Sequence, residues 1–325
     1  MHNLELGQPL NLRHIFTLTP DLALPIMGCF EHMMRGASAL SPAERELIYS
    51  YTSAVNNVHF CAFSHRHCAI GLGIPEAVFD TPRHAINSAA ISDDARVRLT
   101  FACCLQMLEH EELASAACAL SAQPKDARED TIRVVGLTAF MNRLVDGLGV
   151  VSPDESHVKG GKSVAKFGYR QVSEDVEMMI VEAGSRPAQT VQNQPQDWAS
   201  AQTPFYATLG WVNSLKNYVL ALKSGVPFAL RVTIMEAIHE AAITGTDGLQ
   251  GLALTNESEN ALRNFAVAVG VSTRRSVPED FTTLRSYGWT NDRDIIDAVL
   301  VAAVAACSAR IEVGAKHLKI DTPRN

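Results

Sequence analysis

Residues Glu46–His65, ELIYSYTSAVNNVHFCAFSH, decide how the rest of the chain is read. A carboxylate stands fifteen residues before a cysteine, and a histidine follows that cysteine four residues on. Just upstream, Ser41-Pro42-Ala43-Glu44 has the form of a capping box with proline at the first helical position. The helix it starts places Leu47, Ile48, Tyr51, Ala54 and Val55 on one face. Asn56-Asn57 reads as a stop and restart, and a second helix is expected over 58–72, ended by Gly71, Gly73 and Pro75. Two helices joined by so tight a break would bring Glu46, Cys61 and His65 into one pocket. With Asn57 as cap, Cys61 falls in the first turn, where free N–H groups and the helix dipole favour a thiolate. His65 lies one turn further on the same face. It could take the thiol proton, with Glu46 orienting it or relaying that proton. The plainer alternative is a buried structural cysteine beside a surface histidine.

The surrounding chain sets bounds on this site. Its 325 residues suffice for two domains or one large one. A hydrophobic share of 47% and a charged share of 19% are those of a globular protein. The net charge of −7 argues against nucleic acid or an anionic membrane surface as partner. No uncharged apolar window of about 18 residues predicts a membrane span, and the start, MHNLELGQPLNLRHIF, does not read as a signal peptide. Seven cysteines, irregularly spaced and mostly in apolar runs, fit reduced thiols in a cytoplasmic protein.

Alanine, leucine and valine dominate and hairpin signals are scarce, so the fold is expected to be all-α. Residues 1–150 form a first unit. It starts with one amphipathic helix or two short ones over 15–37, continues through the motif helices, and adds helical blocks at 94–120 and 127–148. Residues 151–199, rich in Gly, Pro, Gln and Ser, read as a linker or an excursion that lids the pocket, with EDVEMMIVEAG as a short helix or strand. Helical patterning returns over 200–325. A faint internal repeat sets Pro42 against Pro227, and Arg143 and Gly147 against Arg310 and Gly314. In the first register Glu46 meets Arg231, Cys61 meets Thr246 and His65 meets Gln250, so all three reactive groups are lost in the second copy.

The spacing Glu-x14-Cys-x3-His behind SPAERELI resembles the alkylhydroperoxidase D / carboxymuconolactone decarboxylase superfamily, and within it the peroxidase-related branch. SYGWTNDRDIIDAVLVAAVAAC and AFMNRLVDGLGV resemble that superfamily's later helix pair and closing helix. The resemblance implies two tandem helical repeats packed as a pseudo-dimer, the first carrying the site and the second degenerate, an arrangement also similar to the sestrins. It implies an antioxidant, peroxidase-type oxidoreductase with Cys61 as nucleophile, His65 as proton acceptor or thiolate partner and Glu46 as relay. The family's redox members carry Cys-x-x-Cys-x-x-x-His, and the resolving cysteine falls here at Val58. Cys68 cannot replace it: seven helical residues are about 10.5 Å of rise, beyond the ~7 Å reach of a disulfide. That leaves a cysteine from elsewhere in the fold or an external thiol reductant as partner.

The missing thiol raises a rival from the decarboxylase branch, a cofactor-free lyase, decarboxylase or isomerase on a small carboxylated or cyclic substrate. A third reading is a non-enzymatic stress or scaffold protein, which calls for a solvent-facing Glu46 or a His65 too far from Cys61 to bond it. Tyr49, Phe60 and His59 are candidates for lining or tuning the pocket. No metal or other cofactor is expected. Glu236-x-x-His239-Glu240 has a di-iron spacing but lacks a second such motif, and His59, Cys61 and His67 point in several directions from one helix. Cys103-Cys104 reads as helix core. Further assembly into a homo-oligomer is left open.

Overall fold

A computed structural model describes residues 6–80, 90–151, 155–182, 204–246, 248, 256–272 and 275–321. Among them the chain is all-helical, with fourteen α-helices and one 3₁₀ turn. The expected 15–37 block is two helices, α1 (Leu12–Leu18) and α2 (Pro20–Arg35). The motif pair is α3 (Pro42–Val55) and α4 (His59–Gly71). The 94–120 block divides into α5 (Asp93–Met107) and α6 (His110–Leu120), and α7 spans Lys125–Gly147. The excursion over 151–199 holds two helices, α8 (Glu155–Phe167) and α9 (Arg170–Glu182). Then come α10 (Pro204–Ala221), α11 (Phe228–Thr244), α12 (Glu257–Ser272), α13 (Pro278–Ser286) and α14 (Asp292–His317).

The capping box forms as the residues dictate: Ser41 Oγ accepts from Glu44 N, and Glu44 Oε2 accepts from Ser41 N. The break after α3 works differently from the sequence expectation. Val58, not Asn57, is the cap residue of α4. Asn57 sits at φ 60°, a left-handed conformation asparagine tolerates, and Val58 N bonds back to Ser53 O at 3.0 Å. That closure turns α4 back along α3, and Ser50 Oγ donates to Ala62 O at 2.9 Å to join the two helices.

The most extensive helix contact is between α7 and α14, which run antiparallel through the centre. Gly314 lies against Ile132 and Leu105, and Gly147 against Val299 and Val269. α14 is long and apolar enough to cross a membrane by composition, yet 89% of its most apolar stretch is buried in the protein. It serves as a core helix, as its run of buried residues from Asp294 to Ile311 requires.

Several contacts occur in both halves. Arg45 Nη1 donates to Met33 O and Gly36 O, twelve and nine residues back. Arg231 Nη1 donates to Val219 O and Leu222 O, also twelve and nine residues back. Leu40 N donates to Ser38 Oγ and Val226 N to Ser224 Oγ, both at 3.1 Å. Arg143 Nε reaches Gly270 O and Arg310 Nε reaches Gln106 O, both at 3.1 Å. The register that aligns Arg45 with Arg231 is one residue off the Pro42–Pro227 alignment. Glu46 then falls opposite Val232 rather than Arg231. The positions opposite Cys61 and His65 move to Asp247 and Gly251, which lie outside the described residues, as does Gln250.

The excursion packs on the motif. α8 lies against α4 so closely that a Cβ at Gly161 would sit 2.8 Å from His67 Cβ, and one at Gly71 would sit 2.7 Å from Ala165 Cβ. α9 packs on α2 and α1. Between them Gly168, at φ 73°, turns the chain so that Tyr169 points inward, with Tyr169 N donating to Glu31 Oε2 at 2.7 Å.

Candidate active site

Glu46 is fully buried on α3, and a buried carboxylate must be neutralised and hydrogen-bonded. Three groups from three directions do this. Arg35, at the end of α2, places Nη1 2.7 Å from Oε1. Tyr169 Oη donates to the same oxygen at 2.9 Å. His65 Nδ1, from α4, lies 2.5 Å from Oε2. Burial alone would raise the Glu46 carboxyl, but the His65 and Arg35 contacts outweigh it and hold the group below its ordinary value. Arg35 is fixed in turn by Met34 O at 2.9 Å and by packing over the Tyr169 ring at 5.1 Å.

The His65 ring is held on its face as well as its edge. Tyr49 stacks on it with ring centres 3.5 Å apart and planes 19° apart, and Phe30 lies beyond at 6.3 Å. Among the described residues no group bonds Nε2, the nitrogen opposite the Glu46 contact. His65 borders a cavity of about 650 Å3 between α1, α2, α3, α4, α7, α8 and α9. Its walls are mostly apolar, with Phe16, Phe30, Phe60, Met27, Met141, Val164 and Val172, while Tyr49, Cys61, Ser64, Cys68 and Tyr169 contribute the polar edges.

The structure therefore brings Glu46 and His65 together and leaves Cys61 out of that pair. Cys61 lines the cavity, but no hydrogen bond joins it to His65. Its charged neighbour is Asp146, and the Tyr49 hydroxyl is beside it. Burial pushes the Cys61 thiol far above its ordinary value, and Asp146 adds to the rise. That burial opposes the expected thiolate, against the helix terminus that favours it. Cys68, one wall further along α4, is the thiol that feels Glu46 and Arg35, and burial raises it too. Of the other expected residues, Tyr49 and Phe60 line the cavity, whereas His59 is exposed at the start of α4 and does not.

Sequence reasoning missed Arg35 and Tyr169. Arg35 had no signal beyond its place before Gly36. For Tyr169 the turn signal Phe167-Gly168-Tyr169 inside a polar excursion was a usable hint. The scaffold alternative called for a solvent-facing Glu46 or an unbonded Cys61–His65 pair; Glu46 is fully buried and the pair is unbonded. His239, from the di-iron spacing, pairs with Glu312 at 2.7 Å, and among the described residues no three His, Cys, Asp or Glu side chains are grouped to hold a metal. Cys103 and Cys104 are buried in α5 as expected for core, and no disulfide joins the described cysteines.

What this arrangement can do is move a proton. The Nδ1–Glu46 contact sets the tautomer that leaves Nε2 as acceptor, and the Arg35–Glu46 pair keeps the surroundings electrically balanced. No protein-family model matches the chain, and no curated protein matches it.

Proposed function

We propose that the chain is a cofactor-free acid–base enzyme, an isomerase or lyase, on a framework of two alkylhydroperoxidase D-like repeats of which the first carries the site. The observation that carries this reading is the His65 imidazole: Nδ1 is locked to a buried, charge-balanced carboxylate, and Nε2 is left to the cavity. His65 is the general base, Glu46 its orienting partner, and Arg35 and Tyr169 position Glu46. A vestigial motif would have no reason to keep three donors on one fully buried carboxylate. The duplicated arginine and serine contacts support the repeat framework, with the second half taking the place of a partner subunit.

The test is deuterium wash-in, followed by proton NMR, on a panel of cyclic ketones and lactones in D2O. Exchange at the carbon beside the carbonyl should exceed buffer and vanish in His65→Gln. Exchange that survives His65→Gln, or none above buffer across the panel, sinks the reading.

The cysteine-dependent oxidoreductase remains a second reading, because Cys61 and Cys68 face the same cavity. It needs an external thiol as reductant, and its nucleophile would start from a raised, protonated thiol, which reacts slowly. Sulfenic acid at Cys61 on exposure to peroxide, with turnover lost in Cys61→Ser, would favour it over proton transfer.

A further inference from the structure

The second half holds a cavity of its own, of about 700 Å3, between α10, α11 and α14. Leu220, Val232, Met235 and Ile243 give it apolar walls, and Ile243 stays 45% exposed. Set against the first cavity in the arginine register, it reverses the charge. In the first half a buried carboxylate, Glu46, carries its own cation, Arg35, at 2.7 Å. In the second, Val232 stands opposite Glu46, and Lys216 on α10 brings a cation to the wall instead. Among the described residues no carboxylate pairs with it. Lys216 is half-buried, and its charge reaches the Cys307 thiol, buried in α14 next to Ser308. The ammonium is thus directed toward α14, where a lysine on an open surface would extend its stem into water. Glu312 on α14 is taken by His239 at 2.7 Å, and Glu236 and Glu240 are exposed at the rim. A half-buried ammonium over apolar walls calls for a counter-charge, and a ligand can supply it.

We propose that this second cavity is a binding site for a small apolar monocarboxylate, whose carboxylate pairs with Lys216 beside Ser308 and whose body lies on Leu220, Val232, Met235 and Ile243. Nothing in this depends on the reaction at His65. The ligand carboxylate accepts a charge-assisted hydrogen bond from the Lys216 ammonium and a second bond from the Ser308 hydroxyl. Moving the apolar body out of water onto the four wall residues adds to the binding. The exposed Glu236 and Glu240 repel a second negative charge, so a monoanion is preferred to a phosphate dianion. A cationic amphiphile meets the opposite arrangement, with carboxylates at the rim but Lys216 in its way on the wall.

The experiment is calorimetric titration of the full chain with octanoate, 1-octanol, octylamine and octyl phosphate, which share one apolar body and differ in charge. Octanoate should bind, and the other three about tenfold or more weakly. Lys216→Met should weaken octanoate about tenfold and leave octanol within about threefold, while Lys216→Arg keeps the charge and should keep octanoate binding within about threefold. Val232→Glu supplies a carboxylate within the chain on the same wall and should weaken octanoate as Lys216→Met does. Binding kept in Lys216→Arg and weakened in both other variants is a charge effect, which the misfolding of one variant would not produce. Octanol, octylamine or octyl phosphate binding as tightly as octanoate overturns the ligand class. Octanoate binding unchanged in Lys216→Met or in Val232→Glu puts the ligand elsewhere on the chain and overturns the site, as does the absence of binding by any of the four.

Discussion

Arg45 and Arg231 do the same work in the two halves, each stitching its helix to the carbonyls that end the helix before it. Each half also holds a cavity, of about 650 Å3 in the first and about 700 Å3 in the second. In the arginine register, Glu46 stands opposite Val232, Tyr49 opposite Met235 and Phe30 opposite Lys216. The Arg143–Arg310 match sets Met141 opposite Ser308, and all of these except Glu46 line one of the two cavities. The first cavity is capped by α8 and α9; the second is the more open, with Glu236 and Glu240 exposed at its rim. The lesson is that the contacts holding the backbone and the groups doing chemistry are separable, since one set is present twice and the other once.

The largest effect should fall on turnover. His65→Gln removes the proposed base and should cut kcat by about 10³-fold, whereas Val232→Glu, which puts a carboxylate at the matching place in the second half, should create no activity when His65 is also replaced. Steady-state kinetics on the best substrate from the exchange panel checks both. Next comes stability. Glu46→Gln leaves Arg35 buried without its counter-charge and should cost about 3–5 kcal/mol by urea unfolding, a loss with no equivalent at Val232. Arg45→Met and Arg231→Met should then behave alike. Each strands one buried and one half-buried carbonyl and should cost about 2–4 kcal/mol; a difference above about 2 kcal/mol between them would break the match between the halves.

Acidity gives a smaller handle. Asp146, raised by burial to about 7 despite Arg275 and Arg143, keeps its proton in the folded chain at pH values where the unfolded chain has lost it. Between about pH 4 and 7 the folded state therefore binds more protons, so stability falls as pH rises through that window, by up to about 4 kcal/mol. Glu46 has the opposite sign: its depressed carboxyl adds stability above the ordinary carboxylate range, and that is lost as pH falls through its folded value. Urea midpoints measured from pH 4 to 8 should decline, and Asp146→Asn should flatten the decline. Last, Cys61→Ser should leave proton-transfer turnover within about threefold, and Cys61 should react with iodoacetamide more slowly than free cysteine.

Much of the first half was legible because its signals are local. The capping box of α3, the Asn56-Asn57 break and the proximity of Glu46 to His65 all follow from spacing within a few turns. What escaped was long-range. Tyr169 meets Glu46 from 123 residues away, and nothing near either residue announces the other. The burial of Cys61 escaped for a different reason: helix-end electrostatics can be read from position, but desolvation depends on what the fold later lays on top. The one-residue slip in the second half has a like cause. Pro42 and Pro227 look equivalent, yet one is the first residue of its helix and the other is the cap.

The close seating of α8 on α4 bears on how this chain would look to a saturation mutagenesis screen. At Gly161 and Gly71 even alanine would drive a Cβ into a neighbour at under 3 Å, prising α8 from the helix that carries His65. Such a screen would score both glycines as intolerant as His65 itself, although neither offers a single reactive atom. Ranking positions by fitness alone would blur packing contact and proposed base into one class; only a readout that separates amount of folded protein from rate per molecule would tell them apart.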